Sequence, residues 1–187
     1  YSKVVQEDFQ NGPQHVQSYI GKVVYLLHER YQAGKHPLAL VSMDNMSHNG
    51  EKLAASVHDF AANWIKNGFM EEEFLQYLKD GEKVSFPWSM IDKITPRPDD
   101  TVKERLEGLG FEKIEARLTE RHSYVAPYVN GEETEYLIVE DDFPNGRPPL
   151  EHAGIIFTDR ETVNATEIMK VTACLNRSEE HTSELQS

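Results

Sequence analysis

At 187 residues, 39% of them hydrophobic and 27% charged, the chain has the length and composition of a soluble globular domain, or of part of a larger one, and not of a disordered segment. Its formal charge of −13 argues against nucleic acid or an anionic membrane as a general partner, while leaving room for a small phosphate or carboxylate ligand in a local basic pocket. No apolar run approaches the ~18 residues that span a bilayer, and the single Cys174 excludes an intrachain disulfide and fits a reducing, cytoplasmic compartment.

The first ten residues, YSKVVQEDFQ, hold neither an apolar signal core nor an initiating methionine. Processing explains this, and so does an origin inside a longer gene. From Pro13 to Ala33, Val16, Ile20, Val23, Leu27 and Tyr31 recur every three or four positions, which predicts a helix closed by Gly34 and Pro37. LALVSM, Leu38 to Met43, reads as a short buried strand ending in polar residues. After Asn49-Gly50, a second helix places Leu53, Val57, Phe60, Ala61, Trp64 and Ile65 on one face, and a third runs from Met70 to Lys79. KVSFPWSMIDKITPRPDD reads as a rigid, irregular connection, after which Asp99 or Asp100 caps a helix to Leu109. Phe111 to Val139 is strand-rich, with Asn130-Gly131 as a hairpin turn before TEYLIVE. GIIFT is a further strand, and a last helix opens near Thr158 or Asp159 and runs through Lys170. Helices alternating with short apolar strands predict an α/β layered fold with a parallel sheet. No GxGxxG or P-loop spacing occurs, so the phosphate-cradling part of any nucleotide site is expected outside this chain.

Three stretches carry candidate chemistry. In VSMDNMSHNG, Val41 to Gly50, polar side chains follow a buried strand, where open α/β sheets bind ligands, and Asn45 offers an amide donor there. Asp44, Asn45 and Asn49 acting as plain caps of the next helix would explain the same residues. His48 has no spaced partner, the eight histidines form no HxxxH or HxH, and Cys174 has no CxxC partner, so no metal site is expected. In SFPWSMIDKITPRP, Asp92 beside Lys93 reads as a surface ion pair. In TEIMKVTACLN, Glu167 and Lys170 are three apart and share a helical face, as an exposed charge pair or as a proton-transfer pair. Asn176 lies about 120° off the lysine's face on an ideal helix and needs a slight irregularity to join it.

Together these stretches resemble the polyol-specific long-chain dehydrogenases, the mannitol dehydrogenase family. VSMDNMSHNG is similar to the family's S-C-D-N-x-x-x-N-G segment, FPWSMIDKITPRP to its V-D-R-I-T-P loop, and EDDFPNGRPPLEHAGIIFTD with EIMKVTACLN to the run leading to its catalytic lysine. The resemblance covers nearly all of residues 11 to 176, in the family's order. It implies an enlarged Rossmann-like domain that binds NAD(H) or NADP(H), followed by a mostly helical domain. It also implies that Lys170 is the general acid/base, that the amides of Asn45 and Asn176 hold the reacting oxygen, and that Glu167 helps to move the proton out. Asp92 matches an acidic residue near the site and, with Asn45, is assigned to cofactor binding. The hydride belongs to the cofactor and no metal is implied.

Two departures qualify the resemblance. The family's mannitol dehydrogenases hold lysine and asparagine five apart, whereas VTACL sets them six apart here. The fructuronate reductase (D-mannonate oxidoreductase) branch shows K-V-x-x-C-L-N, which favours a sugar acid as substrate. That branch continues Asn-x-x-His, with the histidine aiding substrate binding, yet Glu179 stands three residues beyond Asn176. Reverse translation of Arg177 to Ser187 matches a common sequencing-adapter sequence in one reading frame, so those eleven residues are expected not to be native.

The combined expectation has three parts. Residues 1–160 form the later part of a Rossmann-like NAD-binding domain, 161–176 the first helix of a helical domain, and 177–187 a translated adapter. The parent enzyme is expected to move a hydride between NAD(H) and D-mannonate/D-fructuronate, or else between NAD(H) and mannitol. A reading from another class is a catalytically inactive interaction domain, against which Asn45, Lys170 and Asn176 together argue. Without a phosphate loop, the isolated chain is expected neither to bind NADH tightly nor to turn over.

Overall fold

The computed structural model describes residues 1–92, 100–120, 124–128 and 136–170. They fall into two units, Tyr1–Ile91 with Leu137–Ser187, and Asp92–Tyr136. The periodicity reading assigns no element to residues 1–12, yet α1 (Lys3–Asn11) forms there, capped by the Ser2 hydroxyl, which accepts from the Val5 amide at 3.4 Å. Val5 and Phe9, one turn apart, face the core, where Phe9 meets Phe60 edge-on at 4.8 Å.

The helix expected from Pro13 starts later. Pro13–His15 form a 3-10 turn, and α2 spans Tyr19–Gln32. The physical reason is Asp8. Its carboxylate accepts the amides of Gln17 at 2.9 Å and Ser18 at 2.8 Å, holding that stretch extended until the Ser18 hydroxyl caps α2 at the Gly21 amide. Asp8 is only 2% exposed, and its backbone carbonyl accepts from the Trp64 indole at 2.8 Å. Burial pushes the carboxyl up, but the bonds from the Ser18 side chain and the two amides, with Lys22 nearby, more than offset this and hold it below its ordinary value.

Two more helices, α3 (Asn49–Lys66) and α4 (Glu72–Lys79), pack with α2 around Val24, Leu27, Val57, Phe60, Trp64 and Phe74. Each such side chain, fully buried, contributes about 1.5–3 kcal/mol of transfer free energy. Of the run expected as a strand, only β1 (Leu38–Ala39) is regular, and it pairs in parallel with β2 (Val84–Ser85). The stretch read as an irregular connection holds both β2 and β3 (Ser89–Asp92), with Pro87 between them, where its missing N–H removes no ladder bond.

In the second unit, α5 (Asp100–Gly108) starts where the acidic cap predicts, and β4 (Arg117–Leu118) pairs antiparallel with β5 (Tyr124–Val125). The Asn130-Gly131 turn lies outside the described residues. A second sheet follows the order β3, β6 (Tyr136–Glu140), β7 (Ile156–Thr158), with β6 and β7 parallel in register Ile138↔Ile156 to Glu140↔Thr158. The chain closes its described part with α6 over 160–170. The described strands are short, but helices alternate with parallel pairs, as the α/β reading expects.

Asp8→Ala strands the Gln17 and Ser18 amides and is expected to lower the unfolding free energy by about 2–3 kcal/mol at neutral pH. Because the folded carboxyl titrates below its ordinary value, its contribution is complete above about pH 4 and is lost as pH falls through the folded value. Urea unfolding at stepped pH checks this: the gap between wild type and variant should narrow in acid. A constant gap down to about pH 2 contradicts it.

Candidate active site

Asn45 lies in the exposed loop that leaves the carboxyl end of β1. That loop is not held by helix capping. The cap position of α3 is His48, in the left-handed conformation at φ 53°, with no side-chain capping bond. Asn49, which the sequence offers as a cap, instead turns inward and is buried. Its Nδ2 donates to the Ser42 carbonyl at 3.2 Å, the Asp44 carbonyl at 3.0 Å and Ser89 Oγ at 2.9 Å, while its Oδ1 accepts from the Ser89 amide at 3.0 Å. The Ser89 hydroxyl in turn donates to the Ser42 carbonyl. Gly50 lets α3 approach closely: a β-carbon there would collide with the Phe86 carbonyl and stand 2.9 Å from the Pro87 carbonyl.

The lysine arrives on α6. Asp159 caps the helix, accepting from the Thr162 amide at 2.8 Å, and its bonds with the Thr162 amide and hydroxyl hold its carboxyl below the ordinary value. Arg160 donates to Glu140 Oε1 at 2.9 Å and lies over the Trp88 ring, while Glu140 Oε2 accepts from the Trp88 amide at 3.0 Å. Val163 is fully buried one turn on. With its first turn anchored to β6 and to the residue before β3, the helix presents Glu167 and Lys170 toward the loop that carries Asn45.

Lys170 is half-buried, and its Nζ donates to the Ile91 carbonyl at 2.6 Å and to Asn45 Oδ1 at 3.1 Å. Glu167 Oε2 accepts from the His48 amide at 3.2 Å. His48 also stacks on Trp88, ring centroids 4.4 Å apart and planes 24° from parallel. The structure thus brings Lys170, Asn45 and Glu167 together from elements far apart in sequence. The shared helical face of Glu167 and Lys170 is real, and both residues use it to reach the 45–48 loop. Asp92 belongs to β3 by its backbone; its side chain, and Asn176, lie outside the described residues. Sequence reasoning missed the Ile91 carbonyl, which no residue type announces, and the inward turn of Asn49, which looks like a cap when read locally.

Chemically, the group is an ammonium held by two neutral oxygens beside an amide whose Nδ2 is a donor. Such a set can pass a proton to an oxygen and hydrogen-bond the charge that develops there. Its position beyond the carboxyl end of a parallel strand is where open α/β sheets take ligands.

Residues 9–152 match the mannitol dehydrogenase Rossmann domain family. The chain is 52% identical to the D-mannonate oxidoreductase of Thermotoga maritima, over 92% of its own length and 32% of that protein's. It is 30% identical to the polyol:NADP oxidoreductase of Gluconobacter oxydans, covering 84% of this chain and 28% of that one. Its fold superposes with a TM-score of 0.68 on the Pseudomonas fluorescens mannitol 2-dehydrogenase, solved as a ternary complex with NAD and D-mannitol. That pair is 28% identical, covering 91% of this chain and 30% of the solved one. The chain therefore spans about a third of the length of the curated relatives it matches.

Gly50→Ala forces a methyl group against two backbone carbonyls and is expected to cost about 1–3 kcal/mol of stability, read as a lower urea midpoint. An unchanged midpoint contradicts the close approach of α3 to residues 86–88.

Proposed function

Because the chain belongs to the mannitol dehydrogenase family, we propose that it is the later Rossmann-like part of an oxidoreductase that interconverts D-mannonate and D-fructuronate with NAD(H). The observation that carries the sugar-acid reading is the 52% identity to a D-mannonate oxidoreductase, against 30% to a polyol oxidoreductase over a similar span. On this reading, residues 1–160 supply Rossmann-like structure, 161–176 open the helical domain, and 177–187 take no part in the enzyme. The lone cysteine supports a cytoplasmic setting.

The donor set suits the reacting end of a dinucleotide complex: a lysine, an amide and a loop at the carboxyl edge of a parallel strand. NAD, when bound, accepts or supplies the hydride. Lys170 takes the hydroxyl proton as the alcohol is oxidised and returns it when the ketone is reduced. Asn45 orients that oxygen and stabilises its partial negative charge, with Asn176 as its partner. Glu167, held at the mouth of the loop by the His48 amide, receives the proton from Lys170 and releases it to solvent. Asp92 is assigned to cofactor binding on the family resemblance alone.

In the longer enzyme, Lys170→Ala is expected to lower kcat by on the order of 10²–10⁴-fold while leaving NADH affinity nearly unchanged, as followed by stopped-flow absorbance and fluorescence titration. Near-normal turnover rules out the acid–base role. Steady-state assays should also give a higher kcat/KM for D-mannonate than for D-mannitol. The opposite order would favour the hexitol reading, which the structural likeness to a mannitol 2-dehydrogenase keeps in play.

A further inference from the structure

Two acceptors of Lys170 come from separate stretches of chain. Asn45 belongs to the loop after β1, and the Ile91 carbonyl belongs to β3. The side chain that joins them is Asn49, 2% exposed at the start of α3. On one side it holds the Ser42 and Asp44 carbonyls, just before Asn45; on the other it holds both the amide and the hydroxyl of Ser89, two residues before Ile91. Ser89 completes the link by donating to Ser42. Only an amide of this length suits the place, because donor and acceptor are needed at once: aspartate accepts but cannot donate, and an aliphatic side chain does neither. In a site with little water such a linkage is all-or-none, since a half-satisfied buried amide costs more than none.

We propose that Asn49 is the positioning residue for the Lys170–Asn45 pair. By fixing the loop of Asn45 against β3, it keeps the amide oxygen and the Ile91 carbonyl in reach of one ammonium group. This goes beyond a contribution to stability, because it makes the Lys170–Asn45 bond depend on a side chain whose hydrogen bonds go to Ser42, Asp44 and Ser89.

The test has two arms. The first needs no activity: side-chain amide resonances of the ¹⁵N-labelled 187-residue chain. In the wild-type background, Lys170→Met should shift the Asn45 amide signal. In Asn49→Asp, the signal should already be displaced, and adding Lys170→Met should move it no further. A response as large as in wild type overturns the proposal. Ser89→Ala should weaken the same response and Ser89→Thr, which keeps the hydroxyl, should preserve it; this pair decides the matter if Asn49→Asp does not fold. Equal responses in the two serine variants count against the proposal. The second arm rests on the proposed function and uses the longer enzyme. Asn49→Asp should lower kcat by on the order of 10²-fold with the KM for NADH little changed, and combined with Asn45→Ala it should be no slower than Asn45→Ala alone. Additive losses overturn the proposal. Uncoupled resonances with undiminished kcat would uphold the positioning and sink the catalytic reading instead.

Discussion

A lysine ammonium shared between a side-chain amide and a backbone carbonyl is the contact around which the described residues are organised. Lys170 reaches Asn45 at 3.1 Å and the Ile91 carbonyl at 2.6 Å, bridging 125 and 79 residues of sequence. A half-buried lysine needs acceptors, and the Asn45 amide oxygen and the Ile91 carbonyl supply two of them. It also demands that three elements meet accurately: the loop after β1, the end of β3 and the last described turn of α6.

That accuracy is built from ordinary parts. Asp8 satisfies two amides ahead of α2, and its carbonyl receives the Trp64 indole, so the start of the helical layer and its largest core side chain are fixed by one residue. Asn49 and Ser89 tie the site loop to β3, and Gly50 lets α3 press against residues 86–88. Glu140, buried on β6, takes the Trp88 amide with one oxygen and Arg160 with the other, and so sets the base of α6. Asp8, Asn49 and Glu140 are buried polar residues, and the side chain of each bonds to at least one backbone group, which is why the site tolerates polar atoms beside an apolar core. His48 and Arg160 both lie on Trp88, making that indole a common support for the loop and the helix.

How much of this was legible beforehand depended on distance along the chain. The face of α3 follows from apolar residues three and four apart, the shared face of Glu167 and Lys170 on α6 from their spacing of three, and the β6 and β7 runs from short apolar stretches, because those signals are local. The starts of helices were read less well: Asp8 delays α2 through bonds to residues nine and ten positions on, and no window on Pro13–Ala33 contains it. β2 and β3 were hidden in a proline-rich stretch because their pairing partners lie elsewhere. At the site, spacing alone puts Glu167 and Lys170 on one face, where a surface charge pair is the simpler reading. The roles of Lys170, Asn45, Asn176, Glu167 and Asp92 came from the resemblance to a family. The carbonyl of Ile91 and the inward turn of Asn49 could come from neither, since a backbone oxygen has no residue signature and an asparagine before a helix looks like a cap.

The claim that Lys170 and Asn45 form one proton-transfer centre is tested most directly by a crystal structure of the longer enzyme with NADH and a non-reacting analogue of the sugar acid. The oxygen at the reacting carbon should lie within ~3 Å of both Lys170 Nζ and Asn45 Nδ2. A bound analogue whose reacting oxygen is held by other residues, with Lys170 still turned to Asn45 and Ile91, would contradict it.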